Sequence, residues 1–109
     1  MKKYLIPLLA VISLPTASKA DFFSRSVAVG IQAAAECSSE KGFIKRSEIT
    51  SITNEALSDL GIDNFSSWLR TKKAKKAVSI TKSYLDNNCQ IDPAYQMELG
   101  EKIVPYVLD

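Results

Sequence analysis

The side chains of this chain that could do chemistry are few, and histidine is missing altogether. Its absence removes the commonest general base, the commonest protein metal ligand and every histidine-dependent catalytic triad. The sequence also contains no glycine-rich phosphate loop, no Gly-x-Ser-x-Gly segment and no calcium loop of the Asp-x-Asp-x-Asp-Gly type. We therefore expect no enzymatic activity, no cofactor and no bound metal.

Two pairs of carboxylates have a spacing that places both members on one side of a helix. Glu36 and Glu40 are four residues apart, and so are Glu55 and Asp59. Paired carboxylates hydrolyse glycosidic bonds in many enzymes, but acidic neighbours on a solvated helix face are far commoner. We interpret both pairs as surface residues.

The strongest candidate for a binding function is a cluster of basic residues, five within seven positions, that follows two aromatic residues. It could contact an anionic partner, with the tryptophan adding stacking or interfacial insertion. The sequence favours the simpler interpretation, a solvated helix face beside a core tryptophan, because three of the lysines lie opposite the apolar stripe. The repulsion of like charges at close helical spacing is the argument for a partner. We call the cluster the basic run; Phe65 lies upstream, and the candidate contact residues are Trp68, Arg70, Lys72, Lys73, Lys75 and Lys76.

The first twenty residues have the pattern of a cleavable export signal. Met1, Lys2 and Lys3 form a positive start, an apolar stretch follows, and small residues at Ser18 and Ala20 fit the small-x-small cleavage pattern. The stretch is too short for a transmembrane anchor, which needs about 20 apolar residues. We predict a signal peptide over 1–20, a single helical domain over 21–109, and a periplasmic or secreted product without stable membrane insertion.

Cleavage changes the charge of the working protein. The full chain has 14 basic and 12 acidic residues, and removing Lys2, Lys3 and Lys19 leaves 11 basic residues, a net charge of −1. A general attraction to nucleic acid is therefore not expected. The remaining candidates for a partner are an unknown protein or a component of the cell envelope.

Cys37 and Cys89 both belong to the predicted domain. Export to an oxidising compartment favours a disulfide between them. Free or intermolecular thiols are the alternative. A redox-active pair is less favoured, because catalytic dithiols usually lie close together in the sequence.

Apolar residues recur with helical periodicity along nearly the whole chain, so helices must position the residues named above. We therefore predict an all-α bundle of four to five helices. A central first helix ends at Lys41-Gly42, and a second begins after Ser47 and stops at Gly61. The third helical region, from Asp63 or Asn64 to Asn88, changes phase and should break near Arg70-Thr71. The predicted core stripe of the second helix consists of Ile49, Ile52, Ala56, Leu57 and Leu60.

The last helix should begin at Asp92-Pro93, which is a strong start signal, and Pro105 should end or kink it. Its predicted core face contains Tyr95, Leu99, Ile103 and Tyr106. Four residues near the C-terminus could alternatively form an exposed apolar edge for a partner: Tyr95, Tyr106, Val107 and Leu108.

The layout around the second cysteine resembles the HdeA-like periplasmic acid-stress chaperones. A helix ends in the segment 84–89, and Pro93 then opens a last helix. The resemblance covers about 25 residues. The segment around the first cysteine departs from it, because the family has a Trp-x-Cys-x-x-Phe-like context and this chain has Ala35-Glu36-Cys37-Ser38-Ser39. It implies a holdase that opens as carboxylates protonate near pH 4.

Three hypotheses follow from the sequence. The leading one is a small exported protein that acts by binding and not by catalysis, with an unknown partner. The second is the acid-stress chaperone that the resemblance implies. The third is a protein that binds anionic surfaces through the basic run from Arg70 to Lys76.

Overall fold

The structure, a computed structural model, describes residues 19–62 and 65–108, and within this part of the chain all the regular elements are helices. The predicted all-α bundle is therefore confirmed. Residues 1–18 of the predicted signal peptide lie outside the described residues, as do the predicted third-region start residues Asp63 and Asn64. The helices are α1 (Lys19–Glu40), α2 (Ile49–Asp59), α3 (Lys72–Ser83) and α4 (Gln96–Val107), with 3₁₀ turns at Arg46–Glu48, Trp68–Arg70 and Pro93–Tyr95.

Helix α1 is the central element, because it contributes residues to both apolar clusters of the bundle. Val29 and Ala33 pack in the cluster that α3 and α4 complete, whereas Val27 and Ile31 pack in the cluster that α2 completes. Small side chains on α1 leave room for these neighbours. Every residue from 26 to 31 is buried, as predicted for a central helix.

The helices alternate in direction through the bundle. Cys37 near the end of α1 is bonded to Cys89 beyond the end of α3, so these two helices run parallel. Arg25 near the start of α1 donates to the carbonyl of Val107 at the end of α4, at 3.1 Å, so α4 runs antiparallel to both. The short connection from α1 to α2 makes this pair antiparallel too.

Glycine caps end both α1 and α2, as the sequence predicted. Gly61 has a φ of 73°, which L-residues with a side chain rarely adopt, and the amide of Ile62 donates to the carbonyl of Leu57 at 2.8 Å. This reversal buries Ile62 against the α2 cluster. It also leaves Leu60 outside, 45% exposed, so the prediction that Leu60 belongs to the core stripe is wrong.

The start of α2 differs from the prediction. Ser47 lies inside the 3₁₀ turn Arg46–Glu48 and does not cap α2, which begins at Ile49. The Glu48 carboxylate instead accepts a hydrogen bond from the backbone amide of Lys45 at 2.8 Å. The predicted core residue Ile52 of α2 is only half-buried. The neighbouring Thr53, which was not part of the predicted stripe, is buried.

The predicted break near Arg70-Thr71 is confirmed, because the 3₁₀ turn ends at Arg70 and α3 starts at Lys72. Helix α3 ends at Ser83 and not at Asn88 as predicted. The remaining residues form a loop in which the Asp86 carboxylate accepts hydrogen bonds from the amides of Asn88 and Gln90. This loop presents Cys89, whose φ is 59°, to Cys37, with 5.7 Å between the two Cα atoms.

Asp92 caps the last helical segment as predicted, and its carboxylate accepts from the amide of Ala94 at 2.9 Å. Pro105 does not end α4, which continues to Val107. Leu99 and Ile103 are buried as expected. Tyr95 is 50% exposed, so its predicted place on the core face is wrong; it precedes α4, in the 3₁₀ turn.

Candidate functional site

The basic run spans the junction between the 3₁₀ turn Trp68–Arg70 and the first turns of α3. The hydroxyl group of Thr71 stabilises this junction as both a hydrogen-bond donor and an acceptor. The oxygen accepts a hydrogen bond from the amide of Ala74 at 3.2 Å, and the hydroxyl donates to the carbonyl of Trp68 at 2.7 Å. The cap therefore starts α3 and sets the direction in which the basic side chains project.

The structure divides the basic run between two surfaces. The buried face of α3 consists of Ala74, Ala77, Val78 and Thr81. Lys72 and Lys76 are exposed and, by helical spacing, lie opposite that face. Lys75 lies to one side and, with Arg70, borders a cleft between helices.

The electrostatics of this junction are unfavourable to the folded protein. Helix α3 has no acidic residue in its first turn, and the positive end of the helix dipole repels the lysines placed there. Within the described residues, no carboxylate lies at ion-pair distance from Arg70, Lys72, Lys75 or Lys76. In the part of the chain that the structure describes, no ion pair neutralises these four positive charges.

Trp68 is half-buried and already has intramolecular partners. The guanidinium of Arg25 lies over its ring, 5.3 Å from the centroid, and Phe65 meets it edge to face at 6.4 Å. The ring also packs against the cluster shared by α3 and α4. One ring face is therefore occupied by a cation, and Trp68 links α1 to the 3₁₀ turn beneath the basic run.

A cleft of about 380 Å³ lies between α1, α2 and α3. Thr53, Leu69 and Val78 contribute apolar or buried groups to its lining, and Arg70 and Lys75 contribute positive charge. Its volume is within the range of about 300–1,000 Å³ usual for small-molecule sites. The remaining lining residues are polar: Gln32, Glu36, Thr50, Asn54, Ser66, Ser79 and Lys82.

Lys82 is the third cation of the cleft, but two carboxylates of α1 neutralise it. Its ammonium group lies 2.6 Å from Glu40 Oε2 and 3.3 Å from Glu36 Oε1. The hydrogen bond to Glu40 raises the pKa of Lys82, partial burial opposes it, and the hydrogen bond to Glu36 adds to the rise. Glu36 and Glu40 therefore serve to join α1 to α3.

Replacing Lys82 with Gln should lower the free energy of unfolding by about 0.5–1 kcal/mol at pH 7, because the pair is only partly shielded from water. The pKa of Lys82 is raised above 10.5 in the folded protein, so the stabilisation from its positive charge is fully present below pH 10.5. This stabilisation is lost as the pH rises through the folded-state pKa. The variant and the parent should therefore converge in strongly alkaline urea titrations. A stability difference that stays constant with pH would contradict this account; Lys102→Gln is the control.

The other carboxylate pair has no comparable environment. Glu55 and Asp59 are both exposed on α2, in agreement with their interpretation as surface residues. Among the residues described, no group of three Cys, Asp or Glu side chains is placed to hold a metal ion. Nothing in the geometry of these carboxylates assigns them a reaction.

Sequence reasoning missed Arg25, Thr53 and Lys82. Lys82 had a usable signal, because a bond between Cys37 and Cys89 brings the end of α3 close to Glu36 and Glu40. Arg25 and Thr53 had none, since their roles depend on how the helices pack.

The comparisons with known proteins found no matching family model, no matching curated protein and no matching solved structure. In the part of the chain that the structure describes, no helix has both the length and the apolar character needed to cross a bilayer. Functional inference therefore depends on the geometry described above.

Proposed function

We propose that this chain is exported and acts by binding and not by catalysis, and that the outward lysines of α3 contact an anionic surface of the cell envelope. The observation that carries the proposal is that Lys72 and Lys76 project from the bundle near the start of α3 and have no carboxylate partner among the described residues. Lysines at this end of a helix disfavour folding, whereas an anionic surface turns the same charges into a source of affinity.

The Cys37–Cys89 disulfide supports export, because disulfides persist mainly in oxidising compartments. The signal-peptide pattern at the start of the chain supports it independently. The acid-stress chaperone remains a competing proposal that rests on the resemblance around Cys89 and Pro93.

Vesicles that contain anionic phosphatidylglycerol should bind the oxidised protein, and Lys72→Gln/Lys76→Gln should weaken this binding about 30-fold. The estimate takes about 1 kcal/mol for each lysine near a charged bilayer. Sedimentation with phosphatidylglycerol vesicles and with neutral phosphatidylcholine vesicles, each at two salt concentrations, measures the effect.

The matched control is Lys45→Gln/Lys102→Gln, which removes the same charge from exposed positions on other elements. It should change vesicle binding only slightly. Equal losses in the two double variants, or binding that does not depend on salt, would contradict a role for this face of α3. A protein that ignores anionic vesicles but suppresses client aggregation at pH 2 would favour the chaperone proposal.

A further inference from the structure

The cleft between α1, α2 and α3 is chemically distinct from the outward lysine face, although both take residues from the basic run. Five of its lining residues matter here: Thr53, Asn54, Arg70, Lys75 and Glu36. Their charges and free hydrogen-bonding groups determine which kind of ligand the cleft can accept.

The free charge of the cleft is positive. Both oxygens of Glu36 already accept hydrogen bonds, Oε1 from Lys82 and Oε2 from the amide group of Gln32 at 2.8 Å. Lys82 lies between Glu36 and Glu40, so these three side chains together carry one net negative charge. Arg70 and Lys75 have no carboxylate partner among the described residues. A ligand in this cleft therefore meets two uncompensated cations.

Two of the uncharged polar residues that line the cleft have unused hydrogen-bonding groups, Asn54 and Thr53. The side-chain oxygen of Asn54 accepts from the hydroxyl of Ser66 at 2.9 Å, which leaves the amide NH₂ of Asn54 to donate. Thr53 is 1% exposed, and its hydroxyl has no hydrogen-bond partner among the described residues. Buried polar groups are rarely left unpaired, because removing them from water without a new hydrogen bond is unfavourable.

Ser26 and Thr81 are also buried without a partner, but neither lines the cleft. Thr53 is the member of this group that borders the cleft, but its hydroxyl oxygen is itself shielded from solvent. The two cations, Arg70 and Lys75, are therefore the groups that favour a ligand able to accept hydrogen bonds.

We propose that this cleft binds a small organic oxyanion, a carboxylate or phosphate monoester. The oxyanion is recognised by Arg70 and Lys75, and the short apolar part of the ligand contacts Leu69 and Val78. A guanidinium matches the two oxygens of a carboxylate or phosphate in a bidentate geometry. The ammonium of Lys75 and the free NH₂ group of Asn54 add further donors to this lining.

The test is an NMR titration of the ¹⁵N-labelled, oxidised protein with three probes that share one apolar chain: hexanoate, hexyl phosphate and hexanol. The two anions should produce saturable shifts at the amides of Thr53, Asn54 and Arg70, and hexanol should not. A response to only one anion supports the proposal and identifies the head group. Equal binding of hexanol, or shifts that neither saturate nor localise to the cleft, would overturn it.

Adjacent lysines provide the matched variants. Lys75→Gln should weaken anion binding at least about tenfold, because a charge-assisted hydrogen bond contributes about 1.5–3 kcal/mol. Lys76→Gln, which makes the same change on the outward face, should leave it within about twofold while it weakens vesicle binding. Equal effects on anion binding would indicate general electrostatics and overturn the site. The two proposals therefore fail separately.

Discussion

Removal of the Cys37–Cys89 disulfide is expected to lower the free energy of unfolding by about 4 kcal/mol. The bond closes a loop with a sequence separation of 52, and the chain-entropy model gives about this value for a loop of that length. Small domains have a total stability of about 5–15 kcal/mol, so the loss is a large fraction of it. The melting temperature should fall by about 15–30 °C.

The effect should be large also because of where the bond lies. Both cysteines are buried, and the bond fixes the loop after α3 to the last turn of the central helix. The loop is otherwise held by hydrogen bonds, two between backbone groups and two accepted by the carboxylate of Asp86, which is exposed. Water competes for such bonds, so they hold the loop less firmly than the covalent bond does.

Urea unfolding followed by circular dichroism measures this loss in Cys37→Ala/Cys89→Ala. The parent protein under a reducing agent should have nearly the same stability as the double variant, and the reducing agent should leave the variant unchanged. A loss below about 1 kcal/mol would show that the unfolded chain is already compact enough to make the bond energetically unimportant.

Replacing Leu57 with Ala is expected to cost about 2–5 kcal/mol, because the side chain is 3% exposed inside the cluster of α1 and α2. Truncation removes apolar contacts and leaves a cavity that neighbouring helices fill only in part. The cluster is small, with Ile31 and Ile62 among its members, so few side chains can move into the space.

Leu60→Ala is the matched control, since it makes the same chemical change three residues later. Leu60 is 45% exposed after the end of α2, and its truncation should cost less than about 1 kcal/mol. The pair tests the fold directly, because the sequence placed both leucines on one apolar stripe. Equal losses in urea unfolding would show that α2 extends further than the structure describes.

The main features of the fold were determined by local sequence. Glycine at 42 and at 61 permits the left-handed turns that end α1 and α2. Asp92 and Pro93 start the last helical segment, and the change of apolar phase at Arg70-Thr71 marks the break before α3. These signals depend on a residue's own backbone preferences or on its nearest neighbours, so they can be read without tertiary structure.

Tertiary structure alone decided which surfaces these helices form. Leu60 fits the apolar period of α2, but the reversal at Gly61 turns the chain so that Ile62 is buried instead. The basic run forms one cluster in the sequence, yet packing places Lys75 at the border of a cleft and Lys76 on the outward face. The charge of the run follows from composition, whereas its division between two surfaces requires the positions of α1 and α2, which no local pattern encodes.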